Sequence, residues 1–462
     1  MGWFGLIKVC VQECVKRVLR VPVLLLFANF IPFMVHAEEA LRLSIEAGFD
    51  IALQRKEELS IARSDIGISQ AQLREVRAEG LPQMGTSLNY TRNWLLPSFV
   101  FDSNTVRIGD DNDLIGVLTM RQSVYKGGRI RSSVQAARHH VSYSKENARL
   151  VKQKLIALIE TSFYDYLLAV ELLRASQASV DRSVSNLNQV GALYRAGRVA
   201  EYDLIRARVQ LSEVRVDSIR AANGVKLAEV KVKDSIGLEL NRQIEIVAEF
   251  RKGTLLESKT LDELTRLGFE TRPDWRKVEL HLSKLRRNID AERARTRPEI
   301  DLLFQGQMQL QSDKMELGKR EDWRRSWSTG VLMKVPLYGG GRSRARVTRA
   351  KHEFDRLEAE RQRLKRSLEL DIRTTYVRYG EAGERLRATY GTVEQARQGL
   401  RVIESRYAAG VGTQLEVLDA QLILVEAEGS LATARRDRAL AGVELERATG
   451  VLGEEISMVE PQ

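Results

Sequence analysis

The chain has 462 residues, of which 43 % are apolar and 29 % charged, with a formal charge of +11. Length alone allows several globular domains, but none of the eight prolines lies between Pro97 and Pro273, and residues 129 to 190 hold neither Gly nor Pro. That segment permits roughly 90 Å of unbroken helix at 1.5 Å per residue, more than a globular domain holds, so an elongated molecule is expected.

The first 37 residues read as a secretory leader: Lys8, Lys16, Arg17 and Arg20 precede an apolar run from Val21 to Val35, and Val35-His36-Ala37 puts cleavage after Ala37. A retained anchor would need about 20 apolar residues, more than this run supplies. Cys10 and Cys14 both fall in the leader, so the exported chain has neither a disulfide nor a thiol ligand. Losing four Lys/Arg and one Glu lowers the formal charge from +11 to +8. In an exported chain, charge spread along helices reads as solvated faces, and no nucleic-acid partner is expected.

Beyond the leader the sequence is expected to hold one unit twice. Val124 to His140 and Leu337 to Glu353 share eight identities in seventeen at an offset of 213 residues, which also pairs Ile159 with Ile372, Tyr166 with Tyr379, Tyr194 with Tyr407 and Gly197 with Gly410. Upstream the offset is 216 and pairs Pro82 with Pro298. The first unit, 38–237, contains helices from Leu41 to Gly80, a β-hairpin at about 82–125 and a long helical hairpin at about 128–236. A linker at 238–262 is expected to belt the helices. The second unit, 263–450, repeats the order with a β-hairpin at about 298–338 and helices at about 340–450, and a tail, 451–462, follows.

Ile300, Leu302, Phe304, Met308 and Leu310 alternate with Asp301, Gln305, Gln307, Gln309 and Gln311, and Met84, Leu88, Tyr90 and Trp94 with Gln83, Ser87, Asn89, Thr91 and Asn93. Period two marks strands with one apolar and one polar face. Trp327 to Val335 forms a third such strand and Asp113 to Val124 a less regular fourth. Half-buried sheets share this pattern. Yet each strand reaches the ~10 residues a tilted membrane strand needs. Trp94, Phe99, Phe101, Trp323 and Trp327 also gather toward one end like an interfacial girdle. Four strands cannot close a barrel and an open edge cannot face lipid, so several copies must share one.

Leu155, Ile159, Phe163, Tyr166, Val170, Leu173, Gln177, Val180, Val184 and Leu187 recur at steps of four and three, a coiled-coil stripe. In the second unit Gly383 and Arg397 interrupt it, with Gly380, Gly391 and Gly399 alongside, so the second arm is expected to be looser and to hold any moving part.

Over essentially its whole exported length the chain resembles the TolC-like outer-membrane efflux protein family. The resemblance is carried by YAAGVGTQLEVLDAQ at 407–421, its counterpart YRAGRVAEYDLIRAR at 194–208, Arg272-Pro273-Asp274 opening a helix, and the strand-to-helix turns Gly127-Gly128-Arg129 and Gly340-Gly341-Arg342. It implies a mixed α and β membrane protein: a homotrimer sharing a 12-stranded β-barrel in outer-membrane lipid, four strands per protomer, continued by a long α-helical barrel. It also implies a passive exit duct for a tripartite efflux or type I secretion system, docked by a periplasmic adaptor and an inner-membrane pump. No enzyme activity and no cofactor are implied.

The glycine junctions Gly197 and Gly410-Val411-Gly412 should form the periplasmic tips, where the family binds its adaptor; Arg198, Val199, Val411 and Thr413 are the exposed candidates there. Glu416 and Asp419, three apart and so on one helical face, match the carboxylates that ring the tunnel entrance. Tyr407 and Asp203 match the family's gate bonds. The gate arginine of some members, five residues after this tyrosine, is Gly412 here, which implies a weaker closed latch.

His139, His140 and His352 have no carboxylate or thiol at ligand spacing, so no metal site is expected. Arg342, Arg344, Arg346, Arg349 and Lys351 are either a basic collar in the duct or a solvated face. A periplasmic adaptor or coiled-coil scaffold is the alternative reading, but an adaptor would carry one hairpin between β half-domains.

Overall fold

The computed structural model describes residues 41–101, 104–313 and 323–454. The leader at 1–37 with Cys10 and Cys14, the side chains of Phe99 and Phe101, and the tail beyond 454 lie outside the described residues. In chain order the elements are β1 (Leu41–Leu43), α1 (Ile45–Arg55), α2 (Glu57–Ala78), β2 (Gln83–Arg92), β3 (Ser98–Phe101), β4 (Asn104–Arg107), β5 (Asn112–Lys126), α3 (Arg129–Arg195), α4 (Glu201–Ile236), β6 (Ile244–Ile246), α5 (Leu261–Thr271), α6 (Pro273–Ala294), β7 (Glu299–Ser312), β8 (Arg324–Lys334), α7 (Arg342–Ala408) and α8 (Gln414–Thr449). The helices match in length at the sequence offsets: α3 and α7 have 67 residues each and α4 and α8 have 36. Likewise α1 and α5 have 11, and α2 and α6 have 22.

Local chemistry sets the boundaries. Ser44 Oγ accepts from the Ala47 amide to start α1, Thr260 and Glu263 form a reciprocal capping box for α5, and Pro273 occupies the first turn of α6 where its missing N–H is no loss. At the strand-to-helix turn Gly127 has φ +61°, and a Cβ there would lie 2.6 Å from the Ala294 carbonyl oxygen, so only glycine fits. At 1.5 Å per residue α3 and α7 each run about 100 Å. Among the described residues no helix is long and apolar enough to cross a membrane.

β2, β5, β7 and β8 form one antiparallel sheet in the order β2-β5-β7-β8. The register puts Met84, Leu88 and Tyr90 beside Met120, Gly116 and Leu114, then Phe304, Met308 and Leu310, on one face. The opposite face carries Ser87, Asn89, Thr119, Asp301, Gln305, Gln307 and Ser328. Here Asp301 accepts from Arg121, Lys126 and Ser123, tying β5 to β7 just where a bulge shifts the register between Ser123 and Tyr125. The segment between β2 and β5 contains the small antiparallel hairpin β3–β4. Trp94 and Trp323 flank strand ends, but Trp327 lies opposite Gly306, half-way along β7, tilted against Phe304. It is 71 % exposed and stands near the start of β8, on the same face as Val331.

The helices pack as two arms. α3 lies against α2, α4, α6 and α8, and α7 against α6 and α8. Ile159 and Ile372, partners at the offset, are both fully buried, worth about 1.5–3 kcal/mol each. Residues 238–260 cross the helices: the Val247 amide donates to the Leu43 carbonyl, Phe250 stacks on Tyr164, and Leu256 joins Leu264, Ile372, Tyr379, Ala382 and Leu445 in one core.

The two arms differ in which residues they bury. In α7 the buried positions Leu368, Ile372, Thr375, Tyr379 and Ala382 keep steps of four and three, and Val393, Leu400 and Tyr407 continue the seam. In the distal half of α3 the buried positions are Ser179, Ser183, Asn186 and Val190, while Val180 and Leu187 are half-exposed and Val184 is exposed. At Gly383 a Cβ would come 3.3 Å from Arg438 Nη1, so the glycine makes room for that guanidinium.

Candidate functional site

Four helix ends converge at the tips. α3 ends and α4 begins around Gly197, and α7 ends and α8 begins around Gly410, with φ of +70° and +78°. In both, the glycine permits a Schellman closure, Arg198 N to Leu193 O at 2.9 Å and Val411 N to Arg406 O at 3.0 Å. Tyr407 fills the space between the two pairs, packed with Val190, Ala207 and Val417, and flanked by Leu187, Leu193, Val199, Leu204 and Ile403.

Among the described residues the buried Tyr407 hydroxyl has no hydrogen-bond partner. Burial pushes its pKa up, and the half-buried Asp203 carboxylate in the first turn of α4 adds to the shift. The two residues are brought together electrostatically but not bonded. Beside them Gln414 is buried with both side-chain polar atoms unpartnered, and a cleft runs past Arg182, Asn186, Tyr407, Val417 and Gln421.

Glu416 and Asp419 differ more than their spacing suggests. Glu416 turns back to accept the Thr413 amide at 2.9 Å while Thr413 Oγ accepts the Glu416 amide, a capping box that starts α8. Asp419 is exposed. Of the expected exposed tip residues, Arg198, Val411 and Thr413 are exposed, but Val199 is half-buried because it packs on the Tyr407 cluster. Gly412 serves close approach, since a Cβ there would meet the Tyr407 backbone nitrogen at 3.1 Å and Glu416 Oε2 at 3.2 Å.

Higher up, sequence reasoning missed a buried acid pair. Glu446 accepts from Arg251 at 2.8 Å and from Thr254 at 2.6 Å, and Glu160, 8 % exposed, has one carboxylate oxygen with no partner. Burial raises the Glu160 pKa to about 7; Arg251 opposes the rise, and Glu446 and Glu46 reinforce it. The signal was a lone carboxylate between Ile156, Ile159 and Phe163 on a buried face. His139 and His140 lie well inside α3, where His140 neighbours Tyr143, which meets His281 edge-on at 5.8 Å; His352 is exposed. Burial and nearby bases lower the pKa values of all three of His139, His140 and His281. Among the described residues no group of His, Cys, Asp and Glu could hold a metal ion. Arg342, Arg344, Arg349 and Lys351 are exposed at the start of α7.

A sheet apolar on one face and polar on the other, feeding two long helical hairpins whose ends close around one tyrosine, defines an outer-membrane channel subunit. The family model described as "Outer membrane efflux protein" matches residues 49–238 and 268–451, and the chain belongs to that family. It is 26 % identical over 408 residues to the solvent efflux pump outer membrane protein SrpC of Pseudomonas putida, covering 87 % of this chain and 84 % of that one. The outer membrane protein TolC of Escherichia coli is 22 % identical over 86 % of this chain and 80 % of its own length. The alkaline protease secretion protein AprF of Pseudomonas aeruginosa is 24 % identical over 93 % and 88 %. The fold matches that of VceC from Vibrio cholerae with a TM-score of 0.76 at 16 % identity, covering 88 % of this chain and 96 % of that one, and that of CusC with 0.76 at 17 %, covering 93 % and 99 %. The protein is an outer-membrane efflux channel and not an enzyme.

Proposed function

We propose that three copies close one twelve-stranded barrel, that the helical hairpins continue it as a tunnel into the periplasm, and that the tips around Tyr407 are its gate. The observation that carries this reading is the pair of sheet edges. β2 and β8 are exposed along their whole length, both edges carry unpaired backbone groups, and the strands run in opposite directions. Joining β8 of one copy to β2 of the next keeps every neighbour antiparallel and leaves no edge in lipid. Three such sheets put the Met84–Phe304–Val331 face toward lipid and the Gln305–Gln307–Ser328 face toward water.

The duplication supports the same reading, since two equivalent hairpins per copy give a six-fold ring of helix pairs from three chains. A periplasmic adaptor and an inner-membrane pump are the partners, with Arg198, Val411 and Thr413 the adaptor-facing tip residues. Asp419, with Glu416 in reserve behind its cap, supplies the carboxylates of the entrance ring, and Tyr407 with Asp203 supplies the latch. The lumen face presents the amides and hydroxyls of Ser87, Asn89, Gln305, Gln307 and Ser328, which suits passive passage of cargo chosen by the pump. Unboiled protein extracted in detergent should migrate as a trimer and conduct ions in planar bilayers; a detergent-free soluble monomer would overturn the proposal.

A further inference from the structure

Glu160 and Glu446 line a pocket of about 500 Å³ bounded by α1, α3, α5, the crossing segment and the residues after α8. That volume suits a small organic molecule. Phe49, Ile156, Leu256 and Leu452 are buried and form its apolar wall. Gly453, with φ +76°, lets the chain close that wall, because a Cβ there would overlap the Ile156 side chain.

The lining is acidic in a chain whose overall charge is positive. Glu46, Asp50, Glu160, Glu446 and Glu454 border it, against Arg251 and Lys259. Two of these acids are answered, since Arg251 donates to Glu446 and Arg149 to Glu454. Among the described residues Glu46, Asp50 and Glu160 have no ion-pair partner. Glu46 and Asp50 are exposed one turn apart on α1, where water solvates them. Glu160 is different: it is 8 % exposed, and one of its carboxylate oxygens has no hydrogen-bond partner among the described residues. A buried carboxylate in that condition either keeps a proton or meets a cation. Burial does hold the proton, up to about pH 7, opposed by Arg251 of the crossing segment and reinforced by Glu446 of α8 and Glu46 of α1. Among the described residues no group of His, Cys, Asp and Glu could hold a metal ion, so the cation that fits this pocket is organic.

We propose that the pocket binds a small organic cation, an ammonium or guanidinium head on a short apolar body, with the head at the Glu160 carboxylate and the body against Phe49, Ile156 and Leu256. The neighbouring Arg251–Glu446 bond, 2.8 Å long, is the same pairing made within the chain. An occupant would brace the crossing segment against α1 and α3 of the first repeat and the end of α8 in the second.

The experiment titrates hexylamine, hexan-1-ol and hexanoate into the full chain in a nonionic detergent, read by calorimetry against matched empty micelles, at pH 6 and pH 8, either side of the Glu160 titration. The amine is cationic at both. It should bind roughly ten-fold more tightly than the alcohol, because its bond to a carboxylate is charge-assisted, and hexanoate should bind more weakly still. Its affinity should rise about ten-fold from pH 6 to pH 8 as Glu160 gives up its proton. Glu160→Gln should remove that rise and bring the pH 8 affinity down to the pH 6 level. Lys259→Glu, at an exposed position, should tighten binding at both pH values, and keeps the test decisive should Glu160→Gln fail to fold. No binding of the amine, equal binding of the three probes, a wild-type affinity flat in pH, an affinity untouched by Lys259→Glu, or binding that appears only once residues 455–462 are removed overturns the site. Each of these leaves the channel reading intact.

Discussion

The guanidinium of Arg438 lies over the ring of Tyr379, 3.4 Å from its centroid, and donates to the Tyr379 carbonyl and to Glu257, each at 2.7 Å. This one arginine on α8 therefore grips α7 and the crossing segment 238–260 together, and Gly383, one turn along α7, leaves the space it occupies. Gly383→Leu should displace the guanidinium and destabilise the second arm by about 1–3 kcal/mol, read as a lower temperature for loss of helical circular dichroism in detergent. An unchanged temperature would show that Arg438 does not couple these elements.

Glu160 predicts a pH dependence. Its pKa rises from 4.5 to about 7 on folding, so the folded chain holds this proton where the unfolded chain has lost it. That contribution to stability is fully present below about pH 4.5 and declines as pH rises toward 7, by on the order of 3 kcal/mol at 1.36 kcal/mol per pKa unit. Unfolding followed at pH 5 and pH 7.5 should show the decline in wild type and a much flatter profile in Glu160→Gln.

The tip carboxylates should separate by assay. Glu416→Ala removes half of the capping box on α8 and should lower stability by about 0.5–2 kcal/mol. Asp419→Asn, at an exposed position, should leave stability unchanged but weaken cation preference and block by divalent ions in single-channel recordings. Equal effects of the two on both measurements would contradict the division.

Tyr407→Phe removes a hydroxyl that has no partner among the described residues, so the fold should tolerate it, whereas Tyr407→Ala should open a cavity among Val190, Ala207 and Val417 and destabilise by about 3–5 kcal/mol, as for buried aromatics. If the hydroxyl latches the gate, Tyr407→Phe and Asp203→Asn should each raise resting conductance. Identical closed-state currents in wild type and both variants would remove the latch. Gly412→Arg is not a clean restoration of the family's arginine, because its Cβ meets the Tyr407 backbone nitrogen at 3.1 Å; Gly412→Ala should perturb the tip as well.

Much of the architecture was legible because it rests on local periodicity. Alternation from Ile300 to Leu310 marks β7, the glycine- and proline-free run after Arg129 marks α3, and Tyr125–Arg129 with Tyr338–Arg342 mark the two turns. The β3–β4 hairpin and β6 escaped notice because strands of three or four residues carry too few positions to show a period.

The sequence by itself determined the duplication offset, from segments that match 213 residues apart, and the long helices and the two-faced character of the sheet, which depend on residues a few positions apart. Tertiary structure decided what covers each face. It buried Ser179, Ser183 and Asn186 and exposed Val184, tied Glu416 into a cap, packed Val199 inward and filled the space beside Gly383 with Arg438. Periodicity states which side chains share a face, but the neighbour that meets that face, and how closely, comes from chain segments tens to hundreds of residues away.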